Sequence, residues 1–138
     1  MELRTKLKEY AAAKGWHFVF GRRDYQNLYE VREWIQDEFK PYGEGVTIMF
    51  CDEYKRQRDG DYIKYKGTFM VLTLSSLDES YDDKREKYIS PLELDLDVMH
   101  DRLECLYDIE SWESEAEVNF FDLNADGAFV YYNLKIHK

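Results

Sequence analysis

Three oxygen-bearing side chains alternate along one short stretch, Asp122, Asn124 and Asp126, and Gly127 follows directly. That spacing is the first half of a calcium loop, in which alternate oxygens wrap a hard cation and glycine permits the bend. The bidentate acid that would close such a loop falls on Asn133. Its flanks alternate like strands, so the stretch reads as a hairpin turn, with calcium the lesser alternative and no metal expected. His17, His100 and His137 have no Cys, His or carboxylate at a zinc-like spacing. His100 and Cys105 stand five residues apart on one expected helix, hence on different faces, which does not make a nucleophile and its base. Acid–base work by paired carboxylates needs a desolvated cleft. Glu113, Glu115 and Glu117 instead alternate with Ala116 and Val118, as the wet face of a strand does. With no Gly-rich phosphate loop, G-x-S-x-G or Walker lysine in the chain, neither an enzyme nor a cofactor is expected.

Charge is distributed far more tellingly than nucleophiles are. Residues 1–69 carry 13 basic and 12 acidic side chains, whereas residues 70–138 carry 6 and 17, so the net −10 belongs to the second half. Between Glu93 and Asp126 there are twelve acids and a single base, Arg102. A field polarised in this way repels phosphate backbones and steers cationic partners to one side of the molecule. Basic residues cluster at Arg22 and Arg23, and again at Lys55, Arg56 and Arg58 beside Tyr54 and Tyr62. Both clusters are short, and the net charge opposes nucleic-acid binding. The pattern fits self-complementarity better: the loop of Tyr54, Lys55, Arg56, Arg58 and Tyr62 on one subunit would meet the acidic strip on the next. Such head-to-tail contacts close into a ring where the rotation permits. The acids expected at a channel or subunit interface are Glu93, Asp97, Asp101, Glu104, Glu113, Glu115 and Glu117.

These side chains need elements to hold them. Leu3, Leu7, Tyr10 and Ala11 predict a helix over 2–14 with Gly15 as its stop, and 16–20 follows as a short strand. Leu28, Val31, Ile35 and Phe39 predict a second helix over 27–39, ended by Pro41, Gly43 and Gly45. The β-branched and aromatic runs 46–51 and 67–74 form a hairpin about a charged turn at 56–60. Residues 77–87 read as a polar connection. Ser90, Pro91 and Glu93 form a capping box that opens a third helix, cored by Leu92, Leu96, Met99, Leu103 and Leu106 and running to about Tyr107. Strands at 115–120 and 128–136 close the chain about a turn at 124–127. The order implies an α+β fold in a single domain over 1–138: an antiparallel sheet of four to five strands with two to three helices packed on one face.

Composition sets the remaining bounds. An apolar share of 44% and an aromatic share of 17% supply enough large side chains to offset the entropy of ordering 138 residues. Twelve Tyr and three Trp exceed what such a core needs and suit half-buried interfaces. Cys51 and Cys105, far apart and without a secretory leader before them, are expected to be reduced thiols in the cytosol. No apolar run approaches the roughly 20 residues a membrane span needs.

From Gly45 onward the layout resembles the small tail-completion or head-to-tail connector proteins of tailed bacteriophages and prophages. The resemblance rests on the N-terminal helix, the strand ending at Phe20 and Gly21, and the long hairpin around Tyr54 to Tyr65. It continues through the polar connection into Ile89, Ser90, Pro91 and Leu92, the helix through Leu106, and the closing hairpin from Phe120 to Val130. It implies a non-enzymatic ring subunit of a virion tail or connector, assembled in the bacterial cytoplasm, with itself and other tail or connector proteins as partners. DNA would pass without specific binding, past acids that do not adsorb phosphate. The alternative is an acidic module that mimics DNA to inhibit a nucleic-acid enzyme. A small hydrolase ranks third, since it would need a pocket holding a perturbed carboxylate or histidine pair.

Overall fold

The computed structural model describes residues 2–21, 28–76, 79–120 and 123–137, with the backbone alone for 28–31. Helix α1 (Leu3–Ala13) buries the stripe Leu3, Leu7, Tyr10 and Ala11. It ends in a Schellman motif: the Trp16 amide donates to the Ala11 carbonyl at 2.9 Å and the Gly15 amide to the Ala12 carbonyl at 3.1 Å. That turn feeds β1 (His17–Gly21). Helix α2 (Leu28–Phe39) then returns the chain to β2 (Thr47–Asp52), which lies parallel to β1 with His17 opposite Ile48. The sheet is therefore mixed rather than purely antiparallel, because a helix inserted between neighbouring strands brings the second back in the same direction.

β2 is followed by β3 (Lys55–Asp59), and both pair antiparallel with the 13-residue β4 (Tyr62–Leu74). Cys51 faces Phe69 and Lys55 faces Lys66, so four steps on one side match three on the other. One extra residue bulges at 52–54 and re-aims the strand. The charged run at 56–60 is thus mostly strand. β5 (Asp108–Glu117) and β6 (Ala125–His137) complete a six-stranded sheet in the order β1-β2-β4-β6-β5, with β3 beside the first half of β4. Six strands exceed the expected four to five because residues 55–59 continue past the bulge as a strand of their own, and β5 also starts earlier, at Asp108 rather than 115. The expected turn at 124–127 moves back as well. Asn119 and Asn124 take the positive φ values of 53° and 56°, while Asp126 and Gly127 already lie in β6.

The capping box at Ser90 does not open a helix. Ser80 is the cap instead, its Oγ accepting the Asp83 amide at 3.2 Å, and α3 (Tyr81–Lys84) runs through a widened turn at Arg85–Ile89 into α4 (Ser90–Glu104). In that turn the Ser90 amide donates to the Arg85 carbonyl five residues back. Pro91 offers no N–H and its ring would strike the carbonyl four residues earlier, so a wider turn lets the helix pass through proline unbroken.

The helices do not share one face of the sheet. Met49, Cys51, Phe69, Val71, Val130 and Tyr132 pack with α1 and α4. Their alternating neighbours Ile48, Phe50, Met70 and Leu72 pack with Ile35 and Phe39 of α2 on the other side. β2 and the end of β4 are covered on both faces, which is why they read as unbroken apolar runs. Beyond Thr68 the α2 side of the sheet turns polar, with Lys55, Lys66 and Tyr131 exposed. No helix among the described residues is long and apolar enough to cross a membrane.

Candidate functional site

The acidic strip divides in two. Leu92, Leu96, Met99 and Leu103 turn α4 onto the core, which leaves Asp97, Asp101 and Glu104 exposed and Glu93 half-buried on its outer side. Glu93 meets the Arg85 guanidinium at 3.2 Å, and His100 Nδ1 stands 3.3 Å from Asp101 and 3.7 Å from Glu104. Glu113, Glu115 and Glu117 lie across the sheet from them. Trp112 faces the α4 layer, so strand alternation turns 113, 115 and 117 to the opposite face. Their cross-strand partners there are Tyr131, Phe129 and Gly127. Partial burial, and then repulsion from Glu115, raise the pKa of Glu117 above the ordinary carboxylate range. Burial and the same acids raise that of Tyr131.

The basic set occupies the other edge. All five residues of β3 are exposed, with Lys55 beside Lys66 on the polar part of the α2 side, and Arg56 and Arg58 beside Tyr65 and Ile63 on the opposite face. Tyr54 belongs to the bulge and is packed inward: its ring meets Tyr65 edge-on at 5.2 Å and Phe20 at 6.2 Å, and its hydroxyl donates to Glu2 at 3.4 Å. Opposite it Gly67 is required, since a Cβ there would meet Tyr54 Cβ at 2.9 Å and the Tyr132 hydroxyl at 2.7 Å. Tyr62 is half-buried, with Lys135 Nζ 4.8 Å above its ring and His137 against its edge. Lys55, Arg56 and Arg58 form no ion pair among the described residues, while the two tyrosines of the loop are held within the fold.

Three strand spacings, roughly 14 Å, separate the β3 edge from the β5 edge, since β4 and β6 lie between them. Lys64 spans part of that gap, at 3.2 Å from Asp59 and 3.9 Å from Glu110. Among the described residues no other ion pair joins the basic and acidic edges. Between them a recess of about 240 Å³ is lined by Lys66, Thr68, Glu113, Tyr131 and others. Just beyond it is a charged group that sequence reasoning missed. Asp52, 2% exposed, accepts the Thr68 hydroxyl at 2.6 Å. Its only signal in the sequence is its place at the end of an apolar run.

Asp122 lies outside the described residues, as do Arg22 and Arg23, and the other two calcium candidates are tied into the turn, although the Asn124 side-chain oxygen and Asp126 Oδ2 accept no hydrogen bond among the described residues. The Asn124 amide donates to the Asn119 side chain at 2.9 Å, and the Asn124 carbonyl accepts the Ser75 amide at 2.7 Å and hydroxyl at 2.8 Å. Asp126 is fully buried, accepts the Asn119 amide at 2.6 Å, and has the Lys84 ammonium 3.6 Å away. Lys84 thus sets a positive charge beside that buried carboxylate. Among the described residues no three His, Cys, Asp or Glu side chains group as metal ligands would. His17 stacks on Tyr42 at 4.2 Å, whereas His100 stands against Trp112. Burial pushes the Cys51 thiol up to about 12, and exposed Cys105 leans on the Asp101 carbonyl at 3.5 Å.

No protein-family model, curated protein or solved structure matches this chain.

Proposed function

We propose that this chain is a non-enzymatic structural subunit that associates with copies of itself head to tail, as a tail-completion or connector ring does. One observation carries the reading: among the described residues a basic edge, β3, and an acidic edge, β5, border opposite sides of the sheet and are kept apart by two strands, with Glu113, Glu115 and Glu117 level with β2 rather than with β3. A molecule whose complementary charges cannot meet internally satisfies them on its neighbours, and a heterologous contact of that kind generates closed rings or open filaments. In a closed ring, the outer row of α4 or the row of Glu113, Glu115 and Glu117 would face a channel. Either would let double-stranded DNA slide by, because each phosphate neutralised by a cation would add a salt-dependent contact and slow its passage.

Size exclusion coupled to light scattering, run over a concentration series at low and high salt, tests this. The expected result is a discrete oligomer whose dissociation moves to higher protein concentration as salt rises, because exposed charge pairs are screened within about 10 Å at 0.1 M. A monomer at every concentration and salt overturns the reading and leaves the acidic DNA-mimic as the alternative to pursue.

A further inference from the structure

We propose that strand β3 of one copy adds to strand β5 of the next in antiparallel register, with Lys55 opposite Glu115, so that one sheet continues from subunit to subunit. The inference rests on the self-association reading and specifies its contact.

Directions come first. β3 is antiparallel to β4, β4 to β6 and β6 to β5, so the two outer strands run in opposite senses. A second copy moved sideways, without inversion, therefore presents its β3 antiparallel to β5 of the first; a purely sideways move brings Lys55 level with Ser111, and a slide of about four residues along the strands brings it to Glu115. Helix layer continues helix layer, and polar face continues polar face. Among the described residues, no strand pairs with the outer side of β3 beyond Glu53, whose amide donates to Gly21, or with the outer side of β5; β3 is exposed throughout, and residues 113–116 of β5 are exposed on both faces of the strand.

Face matching then restricts the register. Lys55, Gln57 and Asp59 share the α2 side of the sheet with Ser111, Glu113, Glu115 and Glu117, so only odd-to-odd pairings keep the sheet continuous. Placing Lys55 opposite Glu117 would set Asp59 against Glu113, like charge on like. Placing it opposite Glu113 would run Asp59 into the irregularity between Ile109 and Ser111. Lys55 opposite Glu115 avoids both. It sets Gln57 against Glu113 and Asp59 against Ser111, and it leaves Glu113 and Glu117 as the diagonal neighbours of the ammonium. On the other face, Arg58 falls opposite Trp112, a pairing that favours a guanidinium over an aromatic ring.

Charge also selects the mode of pairing. An exposed edge is a template for any strand, and charged side chains are the usual protection. Here β5 against β5 would oppose carboxylates, and β3 against β3 would set Arg56 against Arg58, though Lys55 against Asp59; head-to-tail pairing brings cation against acid.

The test uses the full chain with Cys105→Ser, Cys51 being buried. Under mild oxidation, Gln57→Cys combined with Glu113→Cys is expected to give a ladder of disulfide-linked oligomers, at least tenfold above a control combining Gln57→Cys with Ser114→Cys, whose thiols lie on opposite faces. Independently of cysteine chemistry, Lys55→Glu and Glu115→Lys should each raise the dissociation midpoint about tenfold, and the two together in one chain should restore it. An oligomer that forms by light scattering yet gives neither ladder nor restoration overturns this edge pairing while leaving self-association standing. A chain that is monomeric throughout overturns both.

Discussion

Lys84→Met replaces a buried ammonium by an apolar side chain of similar length and leaves Asp126 facing it. Lys84 is 5% exposed and Asp126 0%, with Nζ and Oδ2 3.6 Å apart. At that separation an effective dielectric of about 20 gives an attraction of roughly 4–5 kcal/mol. Removing one member of a buried pair costs about 3–5 kcal/mol, because the remaining charge stays desolvated. The Asn119 amide still donates to Oδ1, so part of the carboxylate remains satisfied. The expected loss is therefore about 3–4 kcal/mol, a large share of the roughly 5–15 kcal/mol that holds a domain of this size. Lys84→Met combined with Asp126→Asn removes both charges and keeps an oxygen for the Asn119 amide, so it should recover about half of that loss. Urea unfolding followed by tryptophan fluorescence reads both values, at one protein concentration below the association range so that assembly adds no stability of its own. A loss below about 1 kcal/mol for Lys84→Met, or a double variant weaker than the single, would refute the view that this lysine serves as the internal cation of the turn.

Two further expectations concern the core. Gly127→Ala should lose at least about 3 kcal/mol in the same urea assay, because the added Cβ would lie 1.7 Å from the Val71 carbonyl oxygen, backbone that cannot step aside. A loss under about 1 kcal/mol would mean that β4 and β6 stand farther apart there. Stability should also fall from about pH 9 upward. Burial raises Cys51 from 9.0 to about 12 and Tyr107 from 10.0 to about 12. Both folded-state values lie above the unfolded ones, so their contribution is complete below pH 9 and is lost as the pH climbs towards 12. The slope is at most about 1.4 kcal/mol per pH unit for each group. Cys51→Ala should flatten the decline between pH 9 and 10, and an unchanged slope would show that the thiol does not stay protonated in the folded chain.

What the sequence determined by itself was local. The stripe of Leu3, Leu7, Tyr10 and Ala11, the glycine stop at Gly15 and the apolar runs of β2 and β4 are near-neighbour patterns, and each became the element that its period required. The excess of acid after Glu93 was equally visible, since charge can be counted without knowing where a chain goes. Tertiary structure decided which of those charges meet. The sheet places Glu113, Glu115 and Glu117 on one side and the α4 acids on the other, a division that linear order cannot carry because it arises from strand alternation against a helix layer. The parallel return of β2 beside β1, and with it α2 on the far face, depended on a long-range pairing with no marker in either strand. Ser90 and Glu93 formed a sound local cap signal, and it was overridden when Ser80 opened the helix earlier and a widened turn carried it through Pro91. Asp126 read as a turn residue because Asn, Asp and Gly favour turns. Its burial beside Lys84, 42 positions away along the chain, was settled by packing, which brings together groups that the sequence holds apart.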